Sequence, residues 1–271
     1  MNQDGAWGRV ALMLGNQKIE QLKKSRVLVV GLGAVGSFAI EALARSGIGH
    51  LRIVDFDQIK PSNINRQLYA LRSTIGQKKI DIATQRIHDI YPEIEVDARD
   101  VFCGEETVDS ILESNEENKI DYVIDAIDSV NPKVELISAT ISKNIPIISS
   151  MGAAGRLDPT QLRCTDISEV HGCTLSRHVR KKLHRRGIRS GFYAVWSEEP
   201  FQQTLNIHDS EMENLQEEEF FRKGRPRDPL PTLVFVPATV GMILASHVVK
   251  VLTEEQTPRE EKDNQGIDNA L

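Results

Sequence analysis

Apolar residues fall in short runs, such as VLVV at 27–30 and LRIV at 51–54 with Arg52 its one interruption, separated by stretches where they recur every three or four positions. Short apolar runs read as buried strands, and the three-to-four repeat reads as amphipathic helix. Strands are predicted at 26–30, 51–54, 94–99, 121–125, 145–149 and 161–165, and helices at 35–46, 75–91, 107–114 and 132–143. Pro132 suits a helix first turn, with Asn131 as its cap. Upstream, Val10, Leu12, Met13, Leu14, Ile19 and Leu22 give residues 1–25 the pattern of a helical lead-in. Alternating strands and helices predict an α/β fold: a Rossmann-like, doubly wound, largely parallel sheet. Right-handed crossovers then put a ligand at the C-terminal ends of the strands.

The pattern changes after residue 165. Residues 166–230 have weak periodicity and strong charge blocks, read as a basic helix at 174–187 followed by a long acidic loop. Leu230–Leu252 is apolar again and about long enough to cross a bilayer. Pro231, Pro237, His247 and Lys250 interrupt it, so it reads as a buried or dimer-interface strand plus helix, and membrane insertion is not expected. The division is therefore a lead-in at 1–25, a sheet domain at 26–165, an extension at 166–252, and an acidic tail at 253–271 expected to be disordered.

Composition narrows the class. In 271 residues, 40% hydrophobic and 27% charged, the chain has the make-up of a soluble globular protein. The N-terminus shows no secretory pattern, and the three cysteines (Cys103, Cys164, Cys173) form no CxxC pair. A reducing cytoplasm is the expected setting. The net charge is −6, but residues 198–219 hold eight acids and no Lys or Arg, and the tail is also acidic. The remainder is net basic, so the overall balance does not exclude a polyanionic partner.

Candidate chemistry begins at GLGAVG. Gly31, Gly33 and Gly36, with Ala34 between them, form GxGxxG after a predicted strand and before a predicted helix. Glycines let the backbone approach a phosphate, and the helix N-terminus favours the anion. Asp55 ends the next strand, where it can bind ribose hydroxyls. Asp57 reads either as a ribose or metal ligand or as a loop-capping carboxylate. Ser62, Asn63, Asn65, Arg66 and Gln67 then form a dense polar cluster, with Ser62 or Asn63 as the cap of a short helix. Arg66 presents a planar fork of donors suited to phosphate oxygens, and Lys79 adds a compact charge. A nicotinamide enzyme does not need this cluster; a triphosphate does. Asp125 and Asp128 close the strand at 121–125, with Asp128 the candidate Mg²⁺ ligand and Asp125 a support for the loop.

Together these residues resemble the superfamily that adenylates carboxylates, which includes ubiquitin-activating enzymes and bacterial ThiF and MoeB. The resemblance covers roughly residues 8–165 and implies that residues 26–165 are an ATP-binding adenylation domain. It implies MgATP at the glycine loop, Asp55, Asn63, Arg66, Lys79 and Asp128. It also implies that Arg9 is donated across a homodimer interface, although Ala6 stands where the family often has a further arginine. A monovalent cation and a sulfur-transfer partner are left open. Within the superfamily, DYVIDAIDSVNPKVELI, MGAAGRLDPTQLRCTDIS and PATVGMILASHVVK resemble the tRNA threonylcarbamoyladenosine dehydratase branch. That branch implies an ATP-dependent dehydration of a tRNA nucleoside through an acyl-adenylate.

The segment RHVRKKLHRRGIR at 177–189 bears on the substrate. Its seven Lys/Arg (Arg177, Arg180, Lys181, Lys182, Arg185, Arg186 and Arg189) read as an RNA-phosphate footprint or as a solvated helix face. Phe192, Tyr193 and Trp196 read as base-stacking residues or as packing. Three rivals remain at this level. Adenylation of a sulfur-carrier protein's C-terminus is disfavoured by the missing CxxC pairs, and an NAD-dependent oxidoreductase by the NINRQ cluster. A non-catalytic binding module is disfavoured by the intact Arg, Lys and Asp set.

Overall fold

The computed structural model describes residues 5–202 and 230–254. Much of the expected acidic loop, and nearly all of the acidic tail, lie outside the described residues. The lead-in forms two short helices, α1 (Gly8–Leu14) and α2 (Asn16–Lys24), broken at Gly15 with φ 83°. The chain then alternates through β1 (Arg26–Val30), α3 (Gly36–Ser46), β2 (His50–Asp55), α4 (Lys79–Ile90), β3 (Glu95–Asp100), α5 (Val108–Ile111), β4 (Tyr122–Asp125), α6 (Val130–Ser142) and β5 (Ile147–Ser150). It finishes with β6 (Leu162–Asp166), α7 (Thr174–Arg185), β7 (Tyr193–Ser197) and α8 (Phe235–Thr253).

The strands form one seven-stranded sheet in the order β3-β2-β1-β4-β5-β7-β6. Every neighbouring pair is parallel except β6 with β7, so the doubly wound α/β reading holds. Helices cover both faces, and for that reason the central strands lack alternation. Val27 and Val29 pack into one apolar layer, Leu28 and Val30 into the other.

Four local expectations change. Helix α4 starts at Lys79 rather than 75, because Gly76 takes φ 83° and a Gln58–Lys78 bridge holds the preceding residues extended. Helix α6 starts at Val130 with Ser129 at the cap position, so Asn131 is inside the helix. Pro132 remains in the first turn, where no helical N–H is required. The expected helix at 107–114 is only the four residues of α5. The extension does supply a strand and a helix, but the strand is β7, between β5 and β6. Residues 230–234 form no strand: Pro231 lacks an amide donor, and its carbonyl instead accepts from Gly155 N at 2.7 Å.

Helix α8 is long and apolar enough to cross a membrane by length and composition. Its inner face, Val236, Val240, Leu244 and Val248, lies in the core at 0–1% exposure. It rests on α3 at Gly241, where an added Cβ would stand 2.4 Å from the Val35 carbonyl oxygen and 2.9 Å from Ala39 N. Both obstacles are backbone, so a side chain can enter only by moving one helix away. Gly241→Val is expected to cost about 1–3 kcal/mol or more through overpacking. An unchanged urea midpoint would refute this account of the helix packing.

Candidate active site

The C-terminal ends of β1, β2, β4 and β5 open into a cleft of about 660 Å³. Gly31, Gly33 and Ala34 from the β1–α3 turn form one wall. Gly31 adopts φ 94°, and a Cβ there would meet the Ala126 carbonyl oxygen at 2.9 Å. Gly36 does not line the cleft; a Cβ on it would lie 1.7 Å from the Gly31 carbonyl oxygen, so its role is to let the turn close. Gly33 has nothing nearer than Gln67 Nε2 at 3.9 Å, leaving its backbone accessible to a ligand.

Asp55 ties this turn to β2. One carboxylate oxygen accepts from Leu32 N at 2.7 Å and the other from Asp57 N at 2.8 Å. Burial raises its pKa, while Lys79 pulls in the opposite direction. Lys79 opens α4 and donates to Asp57 Oδ2 at 2.8 Å, with Asp55 Oδ1 4.0 Å away. Asp57 is thus the counter-ion of Lys79 here, and all three side chains reach the cleft.

Arg66 and Gln67 also line the cleft, but Ser62, Asn63 and Asn65 do not. Those three instead build the loop that carries Arg66. Asn63 is buried, and its side-chain oxygen accepts from Lys60 N at 3.1 Å. The Ser62 carbonyl and Asn65 Oδ1 accept from Arg66 Nη1 at 2.7 and 2.9 Å. Asn65 Nδ2 donates to the Thr232 carbonyl, fastening the loop to the segment before α8. Arg9 is exposed on α1 and does not line the cleft of its own chain.

Opposite the glycine turn, Asp128 stands exposed on the β4–α6 loop and accepts from Ser129 Oγ at 3.2 Å. Among the described residues, no three His, Cys, Asp or Glu side chains converge as a metal cage. Magnesium held by one carboxylate, water and phosphate oxygens needs none. The hard, exposed oxygens of Asp128 fit that mode.

Beneath the loop lies Lys133, which falls in the DYVIDAIDSVNPKVELI stretch that resembles the dehydratase branch but has no role read from sequence. Lys133 is fully buried and donates to Asp125 Oδ2 at 2.6 Å, Ser149 Oγ at 3.1 Å and the Ser150 carbonyl at 2.9 Å. Asp125 also accepts from Ser149 Oγ at 2.6 Å and Ile127 N at 3.1 Å, which is the supporting role expected of it. The sequence signal for Lys133 is its place eight residues beyond Asp125 in the stretch that carries the branch resemblance. Arg156 is the second such residue, 6% exposed and facing the cleft.

The basic run folds as α7 with Ser176, Val179 and Leu183 inward. Arg177, Lys181, Lys182, Arg185 and Arg189 are exposed. Arg186 is bound by Glu135 of α6, and Arg180 donates to the Ser168 carbonyl. The base-stacking reading fails for Phe192 and Trp196, each 3% exposed in the core; Tyr193 packs on the His247 ring. Neither Cys103 nor Cys164 shows an activated thiolate. Burial pushes the Cys103 thiol up to about 12 and raises that of Cys164, whose neighbour His247, 3.9 Å away, is shifted down. Cys173 is buried and accepts from Ser176 N and Gly152 N.

The sequence pattern of the ThiF family matches residues 8–270. The chain belongs to the ThiF family. It is 40% identical over 257 residues to the tRNA threonylcarbamoyladenosine dehydratase of Bacillus subtilis (strain 168), spanning 95% of this chain and 98% of that one. The crystal structure of the E. coli tRNA N6-threonylcarbamoyladenosine dehydratase TcdA in complex with ATP superposes with a TM-score of 0.78. That match is 31% identical and covers 91% and 93% of the two chains. The E. coli (strain K12) molybdopterin-synthase adenylyltransferase matches over 139 residues at 32% identity, 51% of this chain and 53% of that one.

Lys133→Met would strand the Asp125 carboxylate in the core. A loss of about 3–5 kcal/mol is expected on breaking such a buried pair. Chemical denaturation checks it, and a loss below about 1 kcal/mol would contradict the assigned partnership.

Proposed function

We propose that this ThiF-family chain is an ATP-dependent tRNA threonylcarbamoyladenosine dehydratase. The observation that carries the reading is one cleft holding a glycine turn, a ribose-side acid, Arg66, Lys79 and Asp128. Near-full-length similarity to dehydratases supports it over adenylation of a sulfur-carrier protein, for which the similarity reaches only about half the chain.

ATP lies with its phosphates against Gly31, Gly33 and Ala34 and its ribose towards Asp55. The carboxylate of threonylcarbamoyladenosine attacks the α-phosphate, forming an acyl–phosphate bond and releasing pyrophosphate. Arg66 donates to the charge that develops on the phosphates. Lys79 does the same once its Nζ exchanges Asp57 for a phosphate oxygen. Asp128 would hold Mg²⁺, which would supply charge neutralisation at the phosphates. A neighbouring group of the same modification then attacks the activated carbonyl, closes a ring and expels AMP. One water is lost from the nucleoside, and ATP becomes AMP and pyrophosphate. Because ring closure is intramolecular, proximity replaces a cysteine nucleophile. Arg9 serves a second copy's triphosphate in a cytoplasmic homodimer. The exposed face of α7 receives the tRNA backbone.

Incubation of the protein with MgATP and tRNA bearing the modification is expected to lower the nucleoside mass by that of one water, read by mass spectrometry. Arg66→Ala and Asp128→Ala should each abolish AMP formation while the fold survives. Full activity in either variant refutes its assigned role, and an unchanged nucleoside mass with wild type sinks the reading. Separately, glutamate at Arg177, Lys181, Lys182 and Arg185 together should weaken tRNA binding. Its salt dependence should flatten by about 0.7–0.9 in log–log slope for each phosphate that is no longer neutralised. Unchanged binding would make α7 an ordinary solvated surface.

A further inference from the structure

Arg156 follows β5, on the far side of β4 from the glycine turn. The residue is only 6% exposed, and it lines the cleft. Nε donates to the Glu199 carbonyl at 3.2 Å and Nη1 to the Ala154 carbonyl at 2.9 Å. Both partners are neutral. The nearby Glu199 carboxylate is instead occupied by Leu157 N, Asp158 N and Gln202 Nε2, at 2.8–3.1 Å. Among the described residues no carboxylate pairs with Arg156, and Nη2 makes no hydrogen bond. A buried cation without a counter-ion is costly, and the cost falls when an anion arrives.

The space before it is suited to a ligand. Gly152 has no side chain there; a Cβ would stand 3.8 Å from Arg156 Nη1 and 3.2 Å from Cys173 Sγ. The same end of the cleft is bounded by the start of α7, through Thr174 and His178. The exposed basic face of α7 therefore leads directly to it. Phosphate-binding groups occupy the other end, on the β1 and β2 side.

We propose that Arg156 is the recognition residue for the substrate's carboxylate, which it holds at the β5 end of the cleft for in-line approach to the nucleotide. This rests on the dehydratase reading and deepens it. Two anions must meet in the reaction, a carboxylate and a triphosphate. Arg66 and Lys79 serve the triphosphate. Arg156 offsets the charge of the carboxylate, and its planar fork orients it.

The test compares wild type, Arg156→Met and Arg156→Lys in steady-state dehydration of modified tRNA. Free N6-threonylcarbamoyladenosine and its methyl ester serve as competitors, and ATP affinity is measured in parallel. Wild type should be inhibited at least tenfold more strongly by the free acid than by the ester. Arg156→Met should lose that discrimination and raise KM for tRNA at least tenfold, with ATP affinity within twofold of wild type. Arg156→Lys, which keeps the charge, should recover part of both. If Arg156→Met fails to bind ATP, Arg156→Lys decides alone. Intermediate KM and discrimination support the proposal; wild-type values for both overturn it. An active wild type with unchanged discrimination in Arg156→Met overturns this inference alone. A wild type that removes no water overturns the dehydratase reading and this inference with it.

Discussion

The fold rests on backbone approaches too close for any side chain. At Gly36 a Cβ would sit 1.7 Å from the Gly31 carbonyl oxygen, so the turn from β1 into α3 closes only with glycine. That turn sets α3 against the sheet. Helix α8 then settles on α3 through Gly241, again backbone to backbone. The glycine-turn wall of the cleft and the main helical layer thus share one steric condition. Shape sets it rather than transfer of apolar area, and no rearrangement of side chains relieves it.

Polar anchoring completes what close packing begins. Asp55 joins the glycine turn to β2 through two backbone amides, and Asp125 with Lys133 joins β4, α6 and β5. Each carboxylate lies at the C-terminal end of a parallel strand, where the sheet's own hydrogen bonds run out. Side chains there must satisfy backbone donors as well as face a ligand. This is why acids near the cleft divide into two kinds. Asp125 is fully buried and purely supporting, whereas Asp128, three residues on, is exposed at the cleft.

Charge is divided in the same way. Lys79 is held by Asp57, and Arg186 by Glu135, while Arg156 is met only by carbonyls among the described residues. The surface of α7 keeps most of its charge towards solvent because Ser176, Val179 and Leu183 alone make its buried face. The start of that helix, at Thr174 and His178, bounds the end of the cleft away from the glycine turn. In the proposed function, the nucleotide and the second substrate are handled at opposite ends of the cleft.

Much of this was legible in the chain. Six of the seven strands, the parallel order of the core, the glycine turn and the Asp55, Arg66, Lys79 and Asp128 set follow from apolar runs and spacing, since each depends on neighbours in sequence. Strand β7 did not: Tyr193 and Trp196 are strand formers but read in sequence as base-stacking residues or as packing, and the strand's neighbours β5 and β6 precede it with a helix between, so only the finished sheet makes it a strand. The same holds for the polar loop: Ser62, Asn63 and Asn65 resemble ligands in sequence, yet in the fold Asn63 meets the Lys60 amide, Asn65 the Thr232 carbonyl and Arg66, and Ser62 offers its carbonyl to Arg66. Lys133 and Arg156 fall in stretches that resemble the dehydratase branch, but their roles emerge only once their burial is known. The sequence by itself determined which local chemistry was present. The tertiary structure decided which charges lose their solvent, because burial and pairing depend on residues far apart in the chain.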